Sequence, residues 1–283
     1  MASNDFPPQV YLFGAAKCGT TSLAHLLEQH PEICLSTPKE PQFYWTNWEE
    51  GFAWYRQRFT ARPGQILLDA SQGYSMAPWS ALNGTPDDWP VPKRIYAARP
   101  DAKLIYIVRD PVARAVSNYW HAKRYWEKLT LEEAIAQKRP YLLASLYHRQ
   151  VSLFREYFAK EQFLFLSFED LKANPAEVAH RCAEFLGVAA HDFAIGDTRA
   201  RNQSYVSRPW ADGIIKAIGR NEILKSFANA FKSMLPAGVT KKVQSSMTQS
   251  LPPTPPETLA QLHEMFAEDF EAFQKMTGME LKT

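Results

Sequence analysis

The chain has 283 residues, 46% of them apolar, and 32 Lys and Arg against 30 Asp and Glu leave a net charge of +2. That much apolar material excludes a disordered chain and suits one large α/β domain or two small ones. So small a charge excludes a general nucleic-acid or membrane-surface partner.

Residues 1–9 are a polar lead-in with Pro7 and Pro8, expected to be flexible and resembling neither a signal peptide nor an anchor. An apolar strand at 10–13 runs into Gly14, Lys17, Gly19, Thr20, Thr21 and Ser22, after which Leu23, Leu26 and Leu27 mark one face of a helix. Strand, glycine-lysine turn and helix make an anion cradle. The glycines let the backbone curl, the first helical amides lack intrahelical acceptors, and the lysine adds a full charge. The spacing G-x-x-K-x-G-T-T places the lysine before the second glycine, unlike the P-loop of nucleotide triphosphatases. Cys18 lies inside the cradle as a buried filler or a reactive thiol. With Cys34 and Cys182 it forms no paired spacing, so the cysteines read as reduced thiols and no zinc site follows.

His30-Pro31 ends the first helix, and His25 and His30 are spaced wrongly for a helical ligand pair. Glu40, held extended by Pro41, sits among Lys39, Phe43, Tyr44, Trp45, Trp48 and Trp54. It is either a desolvated general base or half of a surface pair with Lys39 above core aromatics. A strand at 66–69 ends in Asp69 and is followed by Ala70, Ser71, Gln72, Gly73 and Tyr74; 78–92 reads as a loop and 93–99 as a short helix. Residues 103–108 are continuously apolar, the pattern of a parallel strand buried on both faces. They lead into Arg109, Asp110 and Pro111 and a helix bearing Arg114, Ser117, Tyr119, Trp120 and His121.

A capping box at Thr130 and Glu133 starts the next helix, another covers 145–158, and 163–166 is a fourth strand. Asn174 with Pro175 caps a helix that ends near Gly187. Four strands, each followed by helical sequence, predict an α/β fold with a parallel sheet flanked by helices. Ligands in such sheets bind at the strands' carboxyl ends, so 14–21, 69–73 and 109–117 are expected to converge on one crevice. Beyond it, Arg199, Arg201, Asn202, Gln203, Ser204 and Arg208 form a basic loop that either folds over a ligand or is solvated. Helical pieces follow at 214–231. Thr254 and Glu257 have capping-box form, and the last helix carries Leu259, Leu262, Phe266, Phe270 and Phe273 as a core stripe before Gly278. The C-terminal part is mostly helical, no internal boundary shows, and 10–283 reads as one domain. No run of about 18 apolar residues is present to span a membrane.

Together these motifs resemble the sulfotransferases that use 3′-phosphoadenosine 5′-phosphosulfate (PAPS), above all the glycosaminoglycan-type (heparan sulfate) enzymes and their bacterial relatives, over residues 10–281. The K-x-G-T-T-S of 17–22 is similar to the family's P-loop-like 5′-phosphosulfate loop. Arg109-Asp110-Pro111 through Ser117 is similar to its 3′-phosphate motif, and K-E-P-x-F-Y at 39–44 to the segment with the catalytic glutamate. Phe168-Glu169-Asp170-Leu171, Phe185-Leu186-Gly187 and the proline-led last helix also look like family sequence. Either phosphate motif alone is weak; the two at this separation are specific. In two places the chain departs: the vertebrate enzymes carry a basic residue where Ala70 stands, and their cysteine-bridged cofactor loop is not present, so 199–208 is expected to replace it.

The resemblance implies PAPS as donor, adenosine 3′,5′-bisphosphate as product, and no metal. It assigns cofactor contacts to Lys17, Cys18, Gly19, Thr20, Thr21, Ser22, Arg109 and Ser117, and through the substitute loop to Arg201, Asn202 and Ser204. Lys17 would stabilise the leaving oxygen and Glu40 would act as base, with His121 and then His148 as the other candidates. Trp45, Trp48, Trp54, Ser71 and Tyr74 would contact the acceptor, a carbohydrate or glycolipid hydroxyl; a small-molecule or acyl-chain alcohol is the alternative. A nucleotide kinase with an altered P-loop and a non-catalytic adenosine-bisphosphate-binding module are the rival classes. Neither nucleic acid nor a transmembrane anchor is expected, and the chain is expected in the cytoplasm.

Overall fold

The computed structural model describes residues 6–195, 206–207, 248–249 and 251–281. Its centre is a parallel sheet of five strands in the order β2-β3-β1-β4-β5: β1 (Val10–Gly14), β2 (Ile33–Leu35), β3 (Ile66–Asp69), β4 (Lys103–Val108) and β5 (Phe163–Ser167). Every residue of β1 is buried, and Val10 lies opposite Leu68 on one side and Lys103 on the other. From β1 the chain moves to one flank of the sheet and from β4 to the other, so a crevice opens between their carboxyl ends. The strand at β2 is an addition to the sequence expectation. Three residues carry too little pattern to show a period, and their pairing with β3 decides their state.

Eleven α-helices lie among the described residues. They are α1 (Thr20–Leu27), α2 (Gly51–Arg56), α3 (Trp79–Leu82), α4 (Val91–Ala98), α5 (Pro111–Tyr125), α6 (Leu131–Ala136), α7 (Pro140–Leu143), α8 (Tyr147–Arg155), α9 (Phe168–Ala173), α10 (Pro175–Leu186) and α11 (Pro256–Thr277). A short antiparallel pair, β6 (Val206–Ser207) and β7 (Thr248–Gln249), completes them. The stretch 78–92, read as a loop, thus contains α3 and the start of α4, and the helices expected at 214–231 lie outside the described residues. Asp110 accepts from the Ala113 amide at 2.6 Å to cap α5, Thr130 and Glu133 form the expected capping box, and Asn174 caps α10. The box expected at Thr254 does not form. Its helix starts one residue late, which puts Pro255, with no side-chain acceptor, at the cap.

Two buried carboxylates tie the layers together. Asp269 on α11 accepts the amides of His148 and Arg149, both at 2.9 Å, and so caps α8 from another helix; Leu146, the residue before α8, offers no side-chain cap. Phe270 and Phe273 pack beside it against Tyr147, and Phe273 also meets Tyr106 and Phe165. Asp69, fully buried at the end of β3, accepts from the Tyr55 hydroxyl at 2.6 Å, the Tyr74 hydroxyl at 2.9 Å and the Ser71 amide at 2.9 Å. Burial outweighs these bonds and pushes its pKa up to about 6. A carboxyl whose folded pKa lies above its unfolded value favours the fold most at low pH, and that contribution is lost as pH rises through about 6. The stability of the wild type relative to Asp69→Asn should therefore fall by on the order of 2–3 kcal/mol between about pH 4 and pH 7 in urea unfolding. A difference that stays flat over that range would show that Asp69 does not titrate there.

Candidate active site

The crevice is built on a loop that tolerates few side chains. A Cβ at Gly14 would lie 2.1 Å from Ser75 Oγ and 2.3 Å from the Tyr106 ring, so only glycine fits. Lys17 adopts a left-handed conformation, φ 70°, which is rare outside glycine. Gly19 does the same at φ 88°, and there a Cβ would also meet Phe168 at 2.9 Å. Gly19 is the residue before α1, and no side chain caps this helix. Its N-terminus is therefore presented to the crevice with its dipole unmasked.

Arg114, fully buried on α5, holds this loop in place. Its Nη1 donates to the Ala16 carbonyl at 3.4 Å, and its Nε donates to Ser145 Oγ at 2.6 Å. Its Nη2 donates to the Tyr141 and Leu142 carbonyls at 2.7 and 3.0 Å. Ser145 passes the connection on, donating to the Pro111 carbonyl at 2.6 Å. One guanidinium thus joins the loop, the start of α5 and the segment α7 to Ser145.

Between these elements lies a cleft of about 520 Å³. Lys17, Gly19, Thr20 and Thr21 line one wall, Arg109 and then Ser117, Asn118, His121 and Trp126 of the α5 segment another, and Glu40, Gln72, Met76, Tyr141 and Phe168 complete it. Thr20 Oγ1 donates to Gln72 Oε1 at 2.9 Å, fastening α1 to the turn after β3. Glu40 pairs with Lys39 Nζ at 2.8 Å and accepts from Gln42 Nε2 at 3.1 Å. Arg109 lies over the Phe168 ring, 5.5 Å from its centre, and donates to the Ala113 carbonyl. Its Nε is buried without a hydrogen-bond partner, a costly state that an incoming acceptor relieves.

Electrostatics point the same way. Desolvation and the charges of Arg124 and Arg109 hold the Lys17 pKa below its ordinary value. His121, an exposed residue of the cleft lining, is pushed down to about 4 by partial desolvation and by Lys17 and Arg124. Its imidazole is neutral at pH 7, and so low a pKa makes it a weak base.

Of the residues singled out in the sequence, the cleft brings together Lys17, Glu40, His121, Gly19, Thr20, Thr21, Arg109 and Ser117. Others lie elsewhere. Cys18 is buried behind the loop, with its amide bonded to the Ala15 carbonyl, its Sγ 3.8 Å from the Tyr147 hydroxyl and its pKa raised by burial. The thiol is the filler of the two readings and cannot reach a ligand in the cleft. Ser22 is half-buried on α1, outside the cleft wall. His148 lines a separate cavity beside Asp269. Ser71 and Tyr74 are buried; Ser71 Oγ accepts the Gln42 amide at 2.9 Å and Tyr74 is held by Asp69, so neither faces an acceptor.

Trp48 and Trp54 pack on Phe43 under Arg94 and Arg58, and Trp45 packs on Trp89; none lines the cleft. The aromatics that do are Trp126, Tyr141 and Phe168. Trp126 went unread because its place depends on where α5 stops, which side-chain periodicity does not fix. Gln72 and Asn118 had a usable signal, since each neighbours a motif already identified. Arg201, Asn202 and Ser204 lie outside the described residues. Among the described residues no group of three or more His, Cys, Asp and Glu is placed to hold a metal ion.

Comparison with known proteins adds a family. The sequence profile described as "Sulfotransferase domain" matches residues 7–208. Human heparan sulfate glucosamine 3-O-sulfotransferase 6 is 31% identical over 191 residues, covering 64% of this chain and 52% of that protein. Mouse heparan sulfate glucosamine 3-O-sulfotransferase 3B1 is 31% identical over 192 residues, covering 64% of this chain and 46% of its own. The chain thus spans about half the length of these relatives. The crystal structure of a sulfotransferase from Alicyclobacillus acidocaldarius superimposes with a TM-score of 0.65 at 23% identity, covering 98% of both chains, and so shares the fold. The cytoplasmic expectation is overturned, because the 3-O-sulfotransferase relatives are enzymes of the Golgi lumen. That expectation rested on a missing anchor. No helix among the described residues is long and apolar enough to cross a membrane, but this does not assign a compartment.

The site geometry makes a direct prediction for His121. Titrated by NMR in the free protein, its midpoint should lie near 4, and Lys17→Ala should move it upward by removing a neighbouring positive charge. An unchanged midpoint in the variant would mean that the two groups do not sense each other.

Proposed function

The chain belongs to the sulfotransferase domain family, and we propose that it moves a sulfuryl group from PAPS to a hydroxyl of a carbohydrate or glycolipid acceptor. The observation that carries this reading is one cleft whose walls hold Lys17, Glu40, Arg109 and Ser117 together. The cleft also fits a doubly phosphorylated nucleotide on its own terms. The uncapped start of α1 beside Lys17 suits one phosphate group, and the buried, unpartnered Nε of Arg109 suits another.

PAPS, when bound, supplies the sulfuryl group and a phosphate as leaving group. The chain's part begins with the acceptor hydroxyl, whose pKa is too high for it to attack unaided, so a base must take its proton. Glu40 is that base. Its carboxylate is in the cleft wall, turned by Pro41 and steadied by Gln42 and Lys39. His121, neutral and lining the same cleft, is the second candidate. Lys17 and the amides at the start of α1 meet the charge that grows on the leaving oxygen, as in phosphoryl transfer. Arg109 and Ser117 hold the 3′-phosphate, the group that separates this donor from other adenine nucleotides. The names of the relatives, glucosamine 3-O-sulfotransferases of heparan sulfate, support a sugar hydroxyl as the acceptor.

Transfer of labelled sulfate from PAPS to saccharide acceptors tests the reading, and magnesium-dependent ATP turnover in its place would favour a kinase. Lys17→Ala should lower kcat roughly 100- to 1000-fold while adenosine 3′,5′-bisphosphate still binds. Arg109→Ala should instead weaken that nucleotide about tenfold or more in calorimetry. Glu40→Gln is expected to cost about 100-fold in kcat; near-full activity would move the base to His121.

A further inference from the structure

None of the residues assigned above to the donor lies at the end of α5. There α5 ends in Tyr125, 67% exposed, and Trp126, 55% exposed, the two most exposed large aromatic side chains of the described residues. Trp126 nevertheless lines the cleft. It stands nine residues beyond Ser117, or roughly 13 Å along a helical axis at about 1.5 Å per residue. Exposed though it is, Trp126 is held in place.

The holding device is Glu127, a buried carboxylate with four donors. Its Oε1 accepts the Lys128 and Leu129 amides at 2.8 and 3.1 Å, and its Oε2 accepts from the Tyr141 hydroxyl at 2.9 Å and Arg139 Nε at 3.2 Å. Lys123 Nζ donates to the Lys128 and Leu129 carbonyls at 2.8 and 2.9 Å, and Tyr119 to the latter at 3.2 Å. The turn after Trp126 is therefore a closed buckle. Tyr141 meets the indole edge-on at 5.5 Å and the Arg139 guanidinium backs it at 5.7 Å. The His121 and Tyr125 rings, 5.1 Å apart, continue the rim. Because Arg139 is paired with Glu127 and Lys123 with carbonyls, the rim offers a preorganised ring face rather than loose charge.

We propose that Trp126 is an acceptor subsite, a platform for a sugar ring one or more residues away from the hydroxyl that is sulfated, so that the enzyme takes an oligosaccharide rather than a single sugar. This rests on the sulfotransferase reading above. A pyranose presents a face of C–H groups that matches an indole in shape and polarity, and the fixed buckle removes the entropy cost of ordering the platform on binding. Glu127 is a positioning residue for that platform.

The test is calorimetric titration of the full chain, saturated with adenosine 3′,5′-bisphosphate, using N-acetylheparosan tetrasaccharide and methyl N-acetylglucosaminide. The tetrasaccharide should bind more tightly than the monosaccharide. Trp126→Ala should remove about tenfold of tetrasaccharide affinity and leave the monosaccharide and the nucleotide within about twofold, and Trp126→Phe should recover most of the loss. Nucleotide binding by each variant doubles as the control for folding. Equal affinities of the two saccharides for the wild type would overturn the proposal. So would an unchanged tetrasaccharide affinity in Trp126→Ala, or an equal loss of nucleotide affinity, which would assign the ring to the donor. Labelled-sulfate transfer run in parallel separates the two readings: a Trp126-dependent saccharide contrast without transfer sinks the sulfotransferase reaction and keeps the platform, whereas transfer without the contrast does the reverse.

Discussion

The cleft depends on what surrounds one buried cation. A guanidinium without water is tolerable only if its donors are met, and Arg114 meets them with three carbonyls and a hydroxyl drawn from the cradle loop, the α7 segment and Ser145. A planar fork with donors pointing three ways is what lets one side chain reach all of these; a lysine has a single point of charge and no such reach. Lys17 on the loop, and Arg109 and Ser117 flanking Arg114 in sequence, are thereby placed relative to each other by a single group. The spacing between Lys17 and Arg109 is a property of the core, not of the flexible cations themselves.

The same group also sets the charge balance. All of its partners are neutral, so its positive charge is spread toward the cleft, where it adds to Arg109 and Arg124 in lowering the pKa of Lys17. Cations gathered in this way repel one another, and the native state carries that cost until an anion arrives. The left-handed Lys17 adds backbone strain at the same loop.

What the residues alone revealed divides along physical lines. The cradle and the Arg109 motif were legible because each is written locally, in glycines that free the backbone, a continuous apolar run that must be a buried strand, and a proline that starts a helix. Their meeting in one crevice followed from parallel topology. The acceptor side was not legible. Trp45, Trp48 and Trp54 have the same chemistry as Trp126, and only tertiary packing separates these, on Trp89 and on Phe43, from the one in the cleft. Ser71 and Tyr74 sat at the right strand end but were claimed by the buried Asp69 beside them. For Cys18 the residues left filler and reactive thiol open, and only the packing against Tyr147 shows the thiol buried. Cellular compartment is not encoded in the packing of a domain at all.

The cap that Asp269 places on α8 joins groups about 120 positions apart in the chain, and this has a bearing on synthesis. As the polypeptide leaves the ribosome, the amides at the start of α8 emerge long before their acceptor, so this cap forms only once residue 269 has followed them. A chain cut at residue 208, where the matched family profile ends, would lack this cap altogether.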